Sequence, residues 1–417
     1  MDKIDTTPGG KTSYCYHGGG RQDDDDYLPE WFLLELLVKL PANDVFRFKS
    51  VSKQWFNFIS DPPLRALYFS RQPKPIRCPL LFVSTAYKCF DTLTDPNQSD
   101  SSAYGRDRDN LTLPTPLIRR GGNREIRPFY NRAADKGFIL AEVAAVAHLY
   151  GELVVYNAVT GQSCERLPNP RRKENNCSLG FITQVDDGSG FLTDYKIVSV
   201  ASQMQFRNFL DMSIFSSETR RWEDFRVQSE APVNFCSYYY NRPVLVNTTL
   251  YWVHRSPGII LTYDPYANPN QLRIIQLPTH LEDDSDYDDV SGVWKIVHGN
   301  DGFWETLKIW DLQENHHWRL GHTIQVGEIL DLAPSNIGSS DNALFVSFHP
   351  SDPDVVYLDL ESKGTLISCN VQTKRVDGVI PYWPSDEHYS SSKWFLLELS
   401  PWPVSIPPSL LAIYSHD

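Results

Sequence analysis

Leu28-Pro-Glu-Trp-Phe-Leu-Leu-Glu-Leu-Leu-Val-Lys-Leu-Pro41 opens the helical part of this 417-residue chain. Phe32, Leu33, Leu36, Leu37 and Leu40 recur at spacings of one, three and four, which lays one apolar face along a helix. Pro29 suits the first turn, where a missing N–H costs nothing, and Pro41 cannot continue the ladder. Asn43 or Asp44 can cap a second, short helix carrying Val45, Phe46 and Phe48. Ser50 or Ser52 can cap a third, on which Trp55, Phe58 and Ile59 share a face, and Asp61-Pro62-Pro63 stops it. The unit spans residues 28–72. It is too small for a large core of its own. Its free apolar face points either to a partner or to a role as a helical cap on the C-terminal part of the chain.

Beyond this unit the texture changes. From residue 73 to 417, short runs of Val, Ile, Leu, Tyr, Phe and Trp alternate with Gly, Pro, Asn, Asp and Ser, the pattern of many short strands. A polar stretch near residues 91–127 reads as a long insertion loop. A weak repeat runs through the remainder. An apolar strand ending in a small polar residue occurs at Leu153–Asn157, Met212–Ser216, Ile259–Asp264, Leu307–Asp311 and Leu366–Asn370. A period near 50 residues with about four strands per unit fits propeller blades. Five such units, and a sixth shared between Leu80–Val83 and Trp394–Leu399, predict about six blades with the C-terminal strand completing the first. The alternative architecture is a twisted β-sandwich or an open, partly propeller-like array.

The formal net charge of −13 argues against nucleic acid as a partner, since phosphate binding calls for a basic excess. No apolar run approaches the ~20 residues that span a bilayer, so no membrane is expected either. Residues 1–27 are polar, glycine-rich and acidic. They lack the apolar core of a signal peptide and are expected to form a disordered leader, with the protein in the cytoplasm or nucleus. The seven cysteines are scattered and form no CxxC pair, which indicates neither a disulfide framework nor a zinc site.

The segment Leu28–Pro41, followed by Val45-Phe-Arg-Phe-Lys-Ser-Val-Ser-Lys-Gln-Trp55 and Ile59-Ser-Asp-Pro62, resembles the F-box motif. The order of a small F-box and a large β domain is similar to the plant F-box proteins with a C-terminal associated domain or propeller. So are Val246-Asn-Thr-Thr-Leu-Tyr-Trp252 and Phe348-His-Pro-Ser-Asp-Pro-Asp-Val-Val-Tyr357. The resemblance implies a non-catalytic substrate receptor of an SCF-type E3 ubiquitin ligase. The F-box docks a Skp-type adaptor, and through it a cullin scaffold, while the β domain binds an unidentified target protein. It assigns Leu28, Pro29, Leu36, Leu40, Pro41, Val45, Val51 and Trp55 to the adaptor interface. Trp31 departs from the family, which usually has an acid there; packing of Trp31 against the β domain is the alternative role.

Chemistry is sparse elsewhere. His17-Gly-Gly-Gly20 has no G-x-S-x-G partner motif. Asp284–Asp288 starts like a calcium loop, but Asp289 and Lys295 occupy the positions that need Gly and Glu. His316, His317 and His322 lack the arrangement of a metal site. There is no nucleotide or cofactor fingerprint. Trp294, Trp304 and Trp318 are candidate rim aromatics, with blade packing as the alternative. A competing reading is a β-propeller enzyme or glycan-binding module with the N-terminal helices as decoration; a further one is an F-box scaffold for a regulator.

Overall fold

The computed structural model describes residues 29–71 apart from 41–44 and 46–47, then 80–84, 90–93, most strands and short turns between 129 and 398, and 406–407. The expected leader at 1–27 and nearly all of the insertion at 91–127 lie outside the described residues.

The N-terminal unit consists of α1 (Glu30–Leu37), a 3-10 turn (Phe48–Ser50), α2 (Lys53–Ser60) and α3 (Pro62–Ser70). Pro29 stands at the N-cap of α1 and its carbonyl accepts from the N–H groups of Phe32 and Leu33. Ser52, rather than Ser50, caps α2: its hydroxyl accepts from the Trp55 N–H at 3.3 Å. Asp61 ends α2, but the two prolines do more than stop it. Pro62 occupies the first position of α3, where its fixed φ favours a helix start. Leu37, Val45, Ile59, Leu64 and Tyr68 form the buried core of the unit, flanked by Leu40, Phe48, Trp55 and Phe58. The Tyr68 hydroxyl donates to the Leu40 carbonyl at 2.7 Å, tying α3 to the exit from α1.

Among the described residues the strands assemble into six blades. Blade 1 contains β1 (Leu80–Ser84), β2 (Phe90–Leu93) and β22 (Trp394–Glu398). Blade 2 contains β3 (Phe129–Asp135), β4 (Phe138–Val143) and β5 (Glu152–Asn157), with bridges from β5 to Ser163 and Leu167 marking a fourth, outer segment. Blade 3 contains β6 (Cys177–Val185), β7 (Leu192–Ala201), β8 (Gln203–Ser216) and β9 (Arg221–Phe235). Blade 4 contains β10 (Val244–Val246), β11 (Thr249–His254), β12 (Ile259–Tyr263) and β13 (Gln271–Gln276). Blade 5 contains β14 (Asp289–Val290), β15 (Lys295–His298), β16 (Thr306–Leu312) and β17 (Trp318–Gln325); a short helix, α4 (Val326–Asp331), comes after it. Blade 6 contains β18 (Leu344–Phe348), β19 (Val355–Leu360), β20 (Thr365–Asn370) and β21 (Arg375–Pro381). Pairing within each blade is antiparallel, and one short parallel pairing of β9 with β13 joins blades 3 and 4 at their outer strands.

The repeat seen in the sequence is the third strand of a blade each time: β5, β8, β12, β16 and β20. The C-terminal strand completes the first blade, as the sequence implied. β22 pairs antiparallel with β1 from Leu80↔Glu398 to Ser84↔Trp394, so the C-terminal strand is the innermost strand of blade 1. It touches β3 on one side and β18 on the other; β3 touches β6, and β6 touches β10. Closure of this kind removes exposed sheet edges.

The core lies between blades. On β7, Tyr195 and Ile197 pack toward Phe138, Leu140 and Val155 of blade 2, whereas Val198 and Val200 pack toward Leu250, Trp252 and Leu261 of blade 4. Successive side chains point to opposite faces, and both faces are covered. That is why such strands read as continuous apolar runs rather than as alternations. Polar pins reinforce the stack. The Trp252 indole N–H donates to the Ser178 hydroxyl at 2.9 Å, from blade 4 to blade 3. Asp135 of blade 2 accepts from the Thr183 N–H at 2.7 Å and the Thr183 hydroxyl at 2.6 Å. Burial raises the Asp135 carboxyl above the usual carboxylate range, and the two Thr183 bonds offset part of that rise. The Tyr266 hydroxyl donates to Asp194 at 2.8 Å, and the Lys196 ammonium sits 4.0 Å from the Tyr266 ring centre.

Candidate docking surfaces

The helical unit buries some of its apolar side chains, half-buries others and leaves several bare. On α1, Leu33 and Leu37 lie four residues apart and are fully buried. Trp31, Phe32 and Leu36 fall off that face; Trp31 is 67% exposed and Phe32 and Leu36 are exposed beside it. The Trp31 and Phe32 rings meet edge to face at 5.9 Å. On α2, Ile59 is buried and Trp55 and Phe58 are half-buried, so Phe56 is left outside. Val51, between the 3-10 turn and α2, is 60% exposed. An exposed Arg71–Glu35 ion pair at 2.6 Å ties the end of α3 back to α1. Exposed apolar groups gathered on so small a unit mark an interaction surface.

Of the residues assigned to the adaptor interface, Pro29, Leu36 and Val51 are exposed, and Leu40 and Trp55 are half-buried, the Trp55 ring lying tilted against Phe48 at 5.1 Å. Val45 requires a correction. It is fully buried against Leu37, Ile59, Leu64 and Tyr68, so it supports the unit from inside and has no surface to offer. Leu28 and Pro41 lie outside the described residues. Phe56 was missed in the sequence. The signal for it was present: with Trp55, Phe58 and Ile59 inward, the helical period places Phe56 on the other side. Trp31 is mostly exposed, which argues against packing on the β domain.

Lys49 joins the two parts of the chain. Its ammonium lies 5.9 Å from the ring centre of Phe56 and 5.7 Å from that of Phe191, at the start of β7 in blade 3. Burial lowers the Lys49 pKa to about 8.

The propeller elements singled out in the sequence fall mainly into its architecture. Val246–Trp252 is the hairpin of β10 and β11, turning at Asn247 with φ 55°. Phe348–Tyr357 is the turn from β18 to β19, where the His349 imidazole accepts from the Asp352 N–H and stacks on Tyr357. Trp318 donates its indole N–H to the Gln276 carbonyl at 2.7 Å, which links blade 5 to blade 4. His322 reaches Gln372 of blade 6 at 3.4 Å. Trp294, Trp304, His316, His317 and Asp284–Asp288 lie outside the described residues.

One part of blade 3 departs from regular blade geometry. Strands β8 and β9 outrun β7, whose pairing with β8 covers only Lys196–Val200 against Met212–Ser216. In the overhang the β8–β9 register runs Gln203↔Phe235, Arg207↔Val233, Phe209↔Gln228. Residues 204–206 therefore bulge from one strand and 229–232 from the other. Met204 is 68% and Phe206 57% exposed.

Two family models match the chain. The F-box domain model matches residues 28–67. A family model described as "F-box protein At3g26010-like, beta-propeller" matches residues 104–392, more than half of the chain. The F-box protein At3g26010 of Arabidopsis thaliana is 25% identical over 374 residues, covering 84% of this chain and 78% of that protein. F-box protein At1g49990 of the same plant is 24% identical over 397 residues, covering 83% and 85%. A chain of a nidogen/laminin complex overlaps at a TM-score of 0.35 with 10% identity, over 76% of this chain and 97% of that one, too distantly to carry an argument. With helices that match an F-box and blades that match the propeller model, the chain belongs to the F-box protein At3g26010-like beta-propeller family.

Proposed function

We propose that this protein is the substrate-recognition subunit of an SCF-type E3 ubiquitin ligase, itself non-catalytic. The F-box docks a Skp-type adaptor, the adaptor joins a cullin scaffold, and the propeller presents a target protein, in the cytoplasm or nucleus. The observation that carries this reading is the number of apolar side chains left bare on a unit that has a buried core of its own: Trp31, Phe32, Leu36, Val51 and Phe56 are exposed, as is Pro29. Central apolar and aromatic anchors usually dominate the energy of such contacts. Leu40 and Trp55 are half-buried, Leu28 and Pro41 are assigned to the adaptor interface by the motif, and Val45 belongs to the core of the unit.

The test is copurification of the intact chain with a Skp-type adaptor. Val51→Glu should weaken capture about tenfold or more while leaving thermal stability intact, because that side chain is exposed. A folded wild-type chain that captures no adaptor overturns the proposal.

A further inference from the structure

We infer that Lys49 and Phe191 are positioning residues, which lock the F-box to blade 3 in one orientation and so fix where the adaptor stands relative to the propeller. The lock itself does not depend on the receptor reading; its use in presenting a target rests on that reading.

Each side of the contact is held in shape by its own unit. Lys49 lies in the middle of the 3-10 turn, which the Val51 N–H closes by donating to the Phe48 carbonyl at 3.0 Å. Phe48 in turn lies against Trp55 of α2. On the propeller, Phe191 stands where the connection from β6 enters β7. The base of that connection is closed by the Asp186 N–H, which donates to the Phe191 carbonyl at 3.0 Å, and by the Thr193 hydroxyl, which donates to the Gln184 carbonyl at 3.1 Å. Groups held in place beforehand lose less ordering entropy when they meet.

The ammonium suits the task. It faces the rings of Phe56 in its own unit and Phe191 in the propeller, both within 6 Å of its nitrogen. Burial holds its pKa near 8, the mark of a cation drawn out of water, and a cation so placed is attracted to an aromatic face more strongly than one in solvent. The four-carbon stem can cover apolar surface as well. Attachment at two places is what fixes an orientation. The chain itself runs from α3 through residues 71–79 into β1, so the covalent tie is to blade 1. Lys49 adds a tie to blade 3, which follows blade 2 around the ring. A tether at one point limits distance and leaves a swivel free, and relative motion is the usual state of two units so joined. A second point two blades away removes the swivel. Docking in this orientation leaves Val51 60% and Trp31 67% exposed, so the apolar surface proposed for the adaptor stays available.

The experiment measures single-molecule energy transfer in the full chain. Donor and acceptor dyes are attached through non-natural amino acids at Pro63 of α3 and Arg319 of blade 5, both exposed. The otherwise wild-type chain should give one narrow transfer peak. Lys49→Met keeps a long stem without the charge, and should lower the ratio of docked to undocked molecules about 2- to 30-fold, seen as a broadened or second peak. Phe191→Leu should do the same from the propeller side. Lys49→Arg keeps a cation and should keep the narrow peak. Lys49 and Phe191 are only half-buried, so melting of all three variants should stay within about 1 °C of wild type, which separates a lost orientation from a lost fold. A broad peak in the wild type overturns the inference. So do peaks in Lys49→Met and Phe191→Leu as narrow as the wild-type peak and at the same place. Adaptor capture is read on the same samples and should persist in every variant. Its absence from the folded wild type would count against the receptor reading and not against the lock.

Discussion

Closure of the propeller by its own C-terminus makes a demanding prediction. Truncation after residue 391 removes β22, breaks five paired positions with β1 and exposes the β1 edge. It also removes Leu397 and Ile406, both almost fully buried; Ile406 packs into the core shared by blades 2 and 3, with Phe138, Phe181 and Trp222. Burial of an aliphatic side chain of this size contributes about 1.5–3 kcal/mol, so the two together contribute about 3–6 kcal/mol before any backbone loss is counted. That is a large part of the about 5–15 kcal/mol that holds an ordinary domain folded. For a β unit of roughly 340 residues the unfolding entropy is near 0.7 kcal/mol per kelvin, which turns the loss into a fall in Tm of about 4–9 °C. Should the truncated chain not fold, Leu397→Ala isolates the same contact at about 2–5 kcal/mol, a fall of about 3–7 °C. Differential scanning fluorimetry of the full-length chain and both variants reads the outcome. A Tm within about 1 °C of wild type for both variants would refute closure by β22, whatever the register of the strands.

Three other perturbations test the packing. Gly180 on β6 stands against buried Leu250 of blade 4, where an added Cβ would run into Leu250 Cδ1 and lie 2.9 Å from its Cδ2. Gly180→Ala should cost about 1–3 kcal/mol in denaturant unfolding, and adding Leu250→Ala should cost less than the sum of the single changes. For the F-box, Val45→Ala should lower thermal stability while Val51→Glu lowers adaptor affinity about tenfold or more without lowering stability, as measured by calorimetric titration against melting. Asp135 gives a pH test. Burial raises its folded pKa above the unfolded value of about 4, so its contribution is fully present below that value and is lost as pH rises through the folded pKa. Asp135→Asn keeps an acceptor for both Thr183 donors without the buried charge, and its Tm at pH 7 should equal or exceed wild type. Asp135→Ala should melt lower, because the Thr183 N–H and hydroxyl lose their acceptor.

Much of the architecture is legible in the sequence. The switch from helical to strand texture near residue 72 divides the chain, because a period of 3.6 and runs bounded by turn residues are local properties. The repeat at Asn157, Ser216, Asp264, Asp311 and Asn370 marks the third strand of five blades. Even the pairing of Leu80–Val83 with Trp394–Leu399 can be expected, since two orphan strands at the ends of a ring have only each other to cover their edges. The start of α3 at Pro62 is less accessible, because the same proline that ends one helix is suited to begin the next.

The candidate sites divide differently. Local pattern is enough to show that an F-box precedes a ring of blades, and that its apolar residues exceed what so small a unit can bury. Which of them are bare depends on tertiary packing. Val45 and Val51 are the same residue type six positions apart, yet one is enclosed by Leu37, Ile59, Leu64 and Tyr68 and the other is left mostly exposed. The bulges of blade 3 are likewise beyond sequence reading, for Met204 and Phe206 look like core residues of one more strand. Their exposure comes from where β7 stops pairing, and from a register between β8 and β9 that no local pattern encodes. Periodicity is set by neighbours along the chain, whereas exposure is set by what packs against a residue from elsewhere in the chain.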